Sequence, residues 1–134
     1  DVIAQIKGLI PDYLRDEIKI EELFYDEPSY TGFKFPVSKY YPAWLQADDH
    51  PMTQAGQNTI KALWGEEREL DTWDFSTNGT YWAGKAGIPA IGFGPGDEKF
   101  AHRGMEQVPL KEVVEATEFY ALFPQILSEK MLEK

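Results

Sequence analysis

The chain has 134 residues, 43% of them apolar, 14% aromatic and 27% charged, with a formal net charge of −10. That length suits one ordinary domain or parts of two, and the composition excludes a disordered chain. The acid excess opposes nucleic acid and anionic membrane as partners, and no run approaches the roughly 18–20 apolar residues of a membrane helix.

There is no cysteine, which removes disulfides, thiolate nucleophiles and cysteine metal sites and favours a cytoplasmic location. The N-terminal stretch lacks the basic start and long apolar core of a signal peptide. Val2, Ile3, Ile6, Leu9 and Ile10 fall on one helical face, and Pro11 stops the run. No N-cap precedes this pattern and the first residue is Asp1, so the sequence reads as cut from something longer.

Ile18–Tyr25 is predicted to be a strand, and residues 26–41 a loop punctuated by Pro28, Gly32 and Pro36. Asp48-Asp49-His50-Pro51 marks a helix start, with Asp49 as a possible cap, and Met52, Ala55, Thr59, Ile60 and Leu63 continue it to Gly65. Leu70–Phe75 is predicted as a strand. Ser76-Thr77-Asn78-Gly79 turns into a short helix holding Tyr81 and Trp82, closed by Gly87. Ile88–Phe93 is almost wholly apolar and suits a buried strand. A long helix begins at Pro109, and Pro124 is expected to kink or break it. The alternation from residue 46 predicts an α/β fold, a layered α/β structure with parallel strands at 70–75 and 88–93. Two strands make a poor sheet, so the expectation is that this half completes a sheet formed elsewhere.

Among residues that carry chemistry, His102 stands out. It ends the loop that follows the apolar run, and ligands of open α/β sheets bind beyond the carboxyl ends of strands. Imidazole is the commonest neutral metal ligand; the opposing reading is a loop histidine with no task. His50, after Asp48 and Asp49, is better read as part of a helix start than as a ligand, because adjacent side chains diverge. Gly92, Gly94 and Gly96 do not make a nucleotide fingerprint, since the next helix begins too late. Ser76 and Thr77 lack the setting of a nucleophile elbow.

The ordered set Tyr25-Asp26-Glu27-Pro28-Ser29-Tyr30-Thr31-Gly32, Ser76–Gly79, Gly87–Gly96, then Ala101-His102 and Glu106 resembles the C-terminal part of a zinc aminoacylase and carboxypeptidase family. Its members include acetylornithine deacetylase, succinyl-diaminopimelate desuccinylase and aminoacylase. The Tyr25–Gly32 stretch, with Asn78, is most similar to the selenium-metabolism-linked hydrolase branch. The resemblance implies that residues 1–45 are the tail of an α+β lid and dimerisation domain and that 46–134 return to the catalytic domain.

It also implies a two-zinc centre to which His102 gives the last metal ligand, with Ser76, Thr77, Asn78, Gly79, Gly94 and Gly96 lining the substrate cleft. Many relatives have Asp where Asn78 stands, and the family's His-Thr-x-Asn-Glu reads here His102-Arg103-Gly104-Met105-Glu106. The remaining metal ligands and the general base have no counterpart in this chain.

The implied chemistry is hydrolysis of the amide bond of an N-acyl amino acid or small peptide by a homodimer, in which this chain is a C-terminal piece. It needs the rest of the enzyme as its partner and is inactive alone. The rival expectation is a free-standing, non-catalytic binding or oligomerisation module.

Overall fold

The computed structural model describes residues 2–132. The chain divides into two compact units, Asp1–Tyr40 and Tyr41–Lys134.

In the first unit, α1 spans Val2–Gly8 and is followed by a 3-10 turn at Asp12–Leu14. A short hairpin follows. β1 (Phe24–Tyr25) pairs antiparallel with β2 (Val37–Ser38), Phe24 opposite Ser38 and Tyr25 opposite Val37. The Ser38 hydroxyl donates to Glu22, and the Lys39 ammonium lies over the Tyr25 ring at 5.4 Å. The predicted strand 18–25 is therefore regular only at its last two residues, and β2 falls within the predicted loop. A strand is as long as its neighbour allows, and β2 offers two residues. No described residue of this unit is buried.

The second unit is built on two helices. α2 (Pro51–Trp64) opens with Pro at its first position and ends at Gly65, whose φ of 70° is the left-handed conformation that closes a helix. The cap is His50: its Nδ1 accepts the Met52 N–H at 3.1 Å. This corrects the expectation for Asp49, because the helix starts one residue later than a cap at 49 requires. α3 (Leu110–Leu132) runs through Pro124 unbroken. Pro124 points outward, while Leu122, Phe123, Ile126 and Leu127 on either side are half-buried. Their packing offsets the lost backbone bond, a defect that costs about 3 kcal/mol in an isolated helix interior.

α2 and α3 hold the core between them. Ala55, Ile60, Ala116 and Phe119 are its buried apolar residues, with Thr53 and Thr59 buried beside them. Each threonine hydroxyl returns a hydrogen bond to the backbone, Thr53 to the Ala47 carbonyl and Thr59 to that of Ala55. Aromatic rings continue the core outward. Phe93 stacks on Phe119 with centroids 4.0 Å apart, Trp64 covers Phe93, and the Arg68 guanidinium lies 4.7 Å from the Trp64 centroid.

The segments 70–75 and 88–93 are irregular, not the predicted parallel strands; among the described residues the β1–β2 hairpin is the only sheet. They nevertheless lie side by side, with the Trp73 indole covering the Cα of Gly92 so closely that a methyl there would overlap it. A strand cannot satisfy its own N–H and C=O groups, and neither segment has a ladder partner here. The result is a mixed structure of helices and one small sheet.

Candidate functional site

The candidate site lies between α2 and α3 in sequence, in a stretch with only two short helical turns. Ser76–Gly79 forms a turn fixed by its own polar groups. The Thr77 hydroxyl accepts the Gly79 N–H at 3.1 Å, and the Ser76 and Thr80 hydroxyls are 3.2 Å apart. The Asn78 carbonyl accepts from Tyr81 N–H at 3.0 Å and opens a wide helical turn over Thr80–Lys85. That turn has the looser i→i−5 bonding, as in Ala86 N–H to the Tyr81 carbonyl. Gly79 sits directly under the Trp44 indole, where any larger residue would collide.

The second loop leaves Phe93 and runs through Gly94, Pro95 and Gly96. Gly96 has φ 95°, a conformation that L side chains rarely adopt, and its N–H donates to Glu112 Oε2 at 2.7 Å. A 3-10 turn at Glu98–Phe100 follows, capped by Asp97, which accepts the Lys99 N–H at 3.0 Å. The Lys99 ammonium bonds the same carboxylate and, with that N–H, holds it below its ordinary range.

The chain then reaches His102, exposed and at φ 58°, the one described non-glycine residue with positive φ. Such strain costs on the order of 1 kcal/mol and gathers at functional positions. The imidazole meets the Phe75 ring edge-on, centroids 6.3 Å apart, and Phe75 stacks on Trp73 at 5.8 Å.

Two clefts share the wall formed by Asp71, Thr72, Trp73 and Phe75. The larger, about 590 Å³, is bounded on its far side by Gly94, Pro95 and Gly96 and also by Glu106. The smaller, about 320 Å³, runs between Trp73 and Trp44 and includes Thr77.

Of the residues expected to line one substrate cleft, Gly94 and Gly96 line the larger and Thr77 the smaller, while Ser76, Asn78 and Gly79 line neither. His102 touches Phe75 edge-on and lines neither of these two clefts. No hydrogen bond joins its ring to Glu106 among the described residues; Glu106 instead donates its N–H to the Arg103 carbonyl at 3.0 Å. The shared wall went unread in the sequence. Its signal was the i, i+2 spacing of Trp73 and Phe75, which suits two side chains on one face.

The described residues do not make a metal site by themselves, since no three His, Asp or Glu side chains come together. A zinc ion usually takes about three protein ligands. His102 has the donor atom and the exposure to serve as one of them.

The family model of peptidase family M20/M25/M40 matches residues 8–125. The chain belongs to this family. M20 peptidases are generally metal-dependent, and the motifs from Tyr25 to Glu106 all lie inside the matched stretch. The chain is also 41% identical over 100 residues to the uncharacterized protein YgeY of Escherichia coli K12, and equally to YgeY of E. coli O157:H7. These 100 residues are 75% of this chain and 25% of each relative, so the chain spans about a quarter of the length of the curated relatives it matches. No solved structure matches it. No helix among the described residues is long and apolar enough to cross a membrane.

Proposed function

We propose that this chain is the C-terminal part of a metal-dependent M20 hydrolase of the selenium-metabolism-linked branch, acting on the amide bond of N-acyl amino acids or small peptides. The observation that carries the reading is the family match over residues 8–125. On this reading residues 1–45 belong to the lid through which the enzyme dimerises, and 46–134 to the catalytic domain. Segments 70–75 and 88–93 become parallel neighbours once the rest of the sheet is beside them; the close seat of Trp73 on Gly92 supports that adjacency.

The roles of this chain's own residues follow. His102 gives one ring nitrogen to a two-zinc centre whose other ligands lie outside the chain, and its strained backbone is consistent with a fixed direction. Gly94 and Gly96, without side-chain bulk, leave the larger cleft open for substrate. The Ser76–Gly79 turn contributes Thr77 to the smaller cleft, on the other side of the shared Asp71–Phe75 wall. The protein is cytoplasmic, and this chain alone is inactive for want of the remaining ligands and the base.

The test uses the complete native gene. Its product is expected to hydrolyse N-acetyl amino acids or dipeptides with zinc, manganese or cobalt, and His102→Ala to lose bound metal and at least about a hundredfold in turnover. A complete protein that cleaves neither class would overturn the function. His102→Ala with two tightly bound metals and normal turnover would remove the ligand role. Metal-dependent turnover by the 134-residue chain itself would overturn its place as part of an enzyme.

A further inference from the structure

α3 touches the cleft loop at both ends. The Tyr120 hydroxyl donates to the carbonyl of Phe93, the residue that precedes the loop, and Glu112 Oε2 accepts the N–H of Gly96, where the loop ends, at 2.7 Å. Glu112 and Tyr120 are eight residues apart, a little over two turns, so they meet the loop at points spaced about 12 Å along one helix axis. Between the two anchors Gly94 faces open space and Pro95 has no N–H to donate.

The helix making these contacts is itself fixed. Phe119, next to Tyr120, is buried and stacked on Phe93, and Ala116, one turn from Glu112, is buried. The acceptor on Gly96 is a carboxylate, which makes the stronger, charge-assisted kind of hydrogen bond. Gly96 is also where the backbone takes φ 95°, which glycine adopts without steric cost but does not select by itself, so this bond fixes one of the several conformations open to it.

We infer that Glu112 and Tyr120 are positioning residues that clamp the Phe93–Gly96 loop onto α3 and thereby fix the glycine wall of the larger cleft for substrate. Neither side chain lines that cleft, and neither is assigned a chemical step. The inference rests on the proposed hydrolase reading for what the wall is for, but the clamp is a physical claim that stands or falls separately. Glu112 is the stronger anchor, because its bond is charge-assisted.

The experiment takes the product of the complete native gene and its Glu112→Ala, Glu112→Gln and Tyr120→Phe variants. Hydrogen exchange is followed by mass spectrometry over Gly94–Ala101 and over α2. Glu112→Ala is expected to speed exchange in the loop by about tenfold or more while α2 keeps its protection. The glutamine variant, whose side-chain carbonyl still accepts the Gly96 N–H, restores most of the protection. In the same preparations Glu112→Ala raises KM for an N-acetyl amino acid by about tenfold, with bound metal unchanged. Tyr120→Phe moves both readouts the same way by less.

Loop exchange at the wild-type rate in Glu112→Ala overturns the clamp, and so does an equal rise in α2, which would mark a general loss of fold. Faster loop exchange with unchanged KM overturns the substrate-positioning role. A complete protein with no hydrolytic activity refutes the hydrolase reading, and the exchange measurement still decides the clamp.

Discussion

The helix pair α2–α3 and the segments 70–75 and 88–93 make an instructive contrast. Ile88–Phe93 is almost wholly apolar and forms no regular structure, whereas α2, with two glutamines, two threonines, an asparagine and a lysine in its fourteen residues, is a complete helix. The difference lies in the backbone. A helix pairs its own N–H and C=O groups and needs a neighbour only for one apolar stripe, which α2 and α3 provide for each other. A strand needs a neighbour for its hydrogen bonds as well. Apolar character therefore states how strongly a segment seeks cover, and the presence of partners decides whether it finds any.

If burial on the helix pair is what stabilises the protein, Phe119 is the residue to remove. It is 2% exposed and stacks on Phe93 and Phe123. Phe119→Ala is expected to cost about 3–5 kcal/mol in urea unfolding. Phe24→Ala, at a position 62% exposed in the hairpin, should change stability by no more than about 0.5 kcal/mol. Comparable losses at the two sites would erase the contrast between the regions.

The irregular segments are held by point contacts in place of ladders, and the glycines report where. Gly79 has no room for a methyl beneath the Trp44 indole, while Gly94 has nothing within 4 Å and an ordinary φ. Gly79→Ala is expected to destabilise by about 1–2 kcal/mol as Trp44 is pushed aside, and Gly94→Ala to be nearly neutral. A neutral Gly79→Ala would show that Trp44 does not brace this turn.

The same contrast explains what could be read from the sequence. α2 was legible because its signals are local: Pro51 at the start, apolar residues at helical spacing, Gly65 at the end. The helix of α3 was legible too, though not its passage through Pro124, which depends on packing either side of that residue. The strands expected at 70–75 and 88–93 do not form within this chain, because a partner is a long-range property that alternation cannot supply. The site divides likewise. The open cleft wall at Gly94 and Gly96 follows from glycine itself. The contacts of Gly96 with Glu112 and of Phe93 with Tyr120 reach across 16 and 27 residues, a distance no motif encodes.

A smaller effect tests a local signal that was misplaced by one residue. His50 caps α2 through Nδ1, and the adjacent Asp49 makes no such bond. His50→Ala is expected to cost about 1 kcal/mol, and His50→Asn, a good capping residue, much less. Asp49→Ala should stay within about 0.5 kcal/mol. The reverse ranking in thermal or urea unfolding would return the cap to Asp49.

The smallest effect concerns the turn that leads from the glycine loop to His102. Asp97 caps Glu98–Phe100 and is bonded by the Lys99 ammonium and the Lys99 N–H, in that order of influence, so its carboxyl titrates below the ordinary value of 3.8. A carboxyl with a lowered folded-state pKa contributes its stabilisation above the unfolded value and loses it as pH falls through the folded one. The turn should therefore be intact at neutral pH and loosen only in acid below that ordinary value. The Lys99 amide shift, followed by NMR against pH, reads the event directly. Its midpoint is expected below that of the same aspartate in the urea-unfolded chain, and about 1 M salt should move it upward, because both partners are exposed and screening weakens their attraction. In Asp97→Asn the acid transition should vanish from that amide. A midpoint at or above the unfolded value would mean that Lys99 does not hold the carboxylate, and that the loop reaches His102 without this anchor.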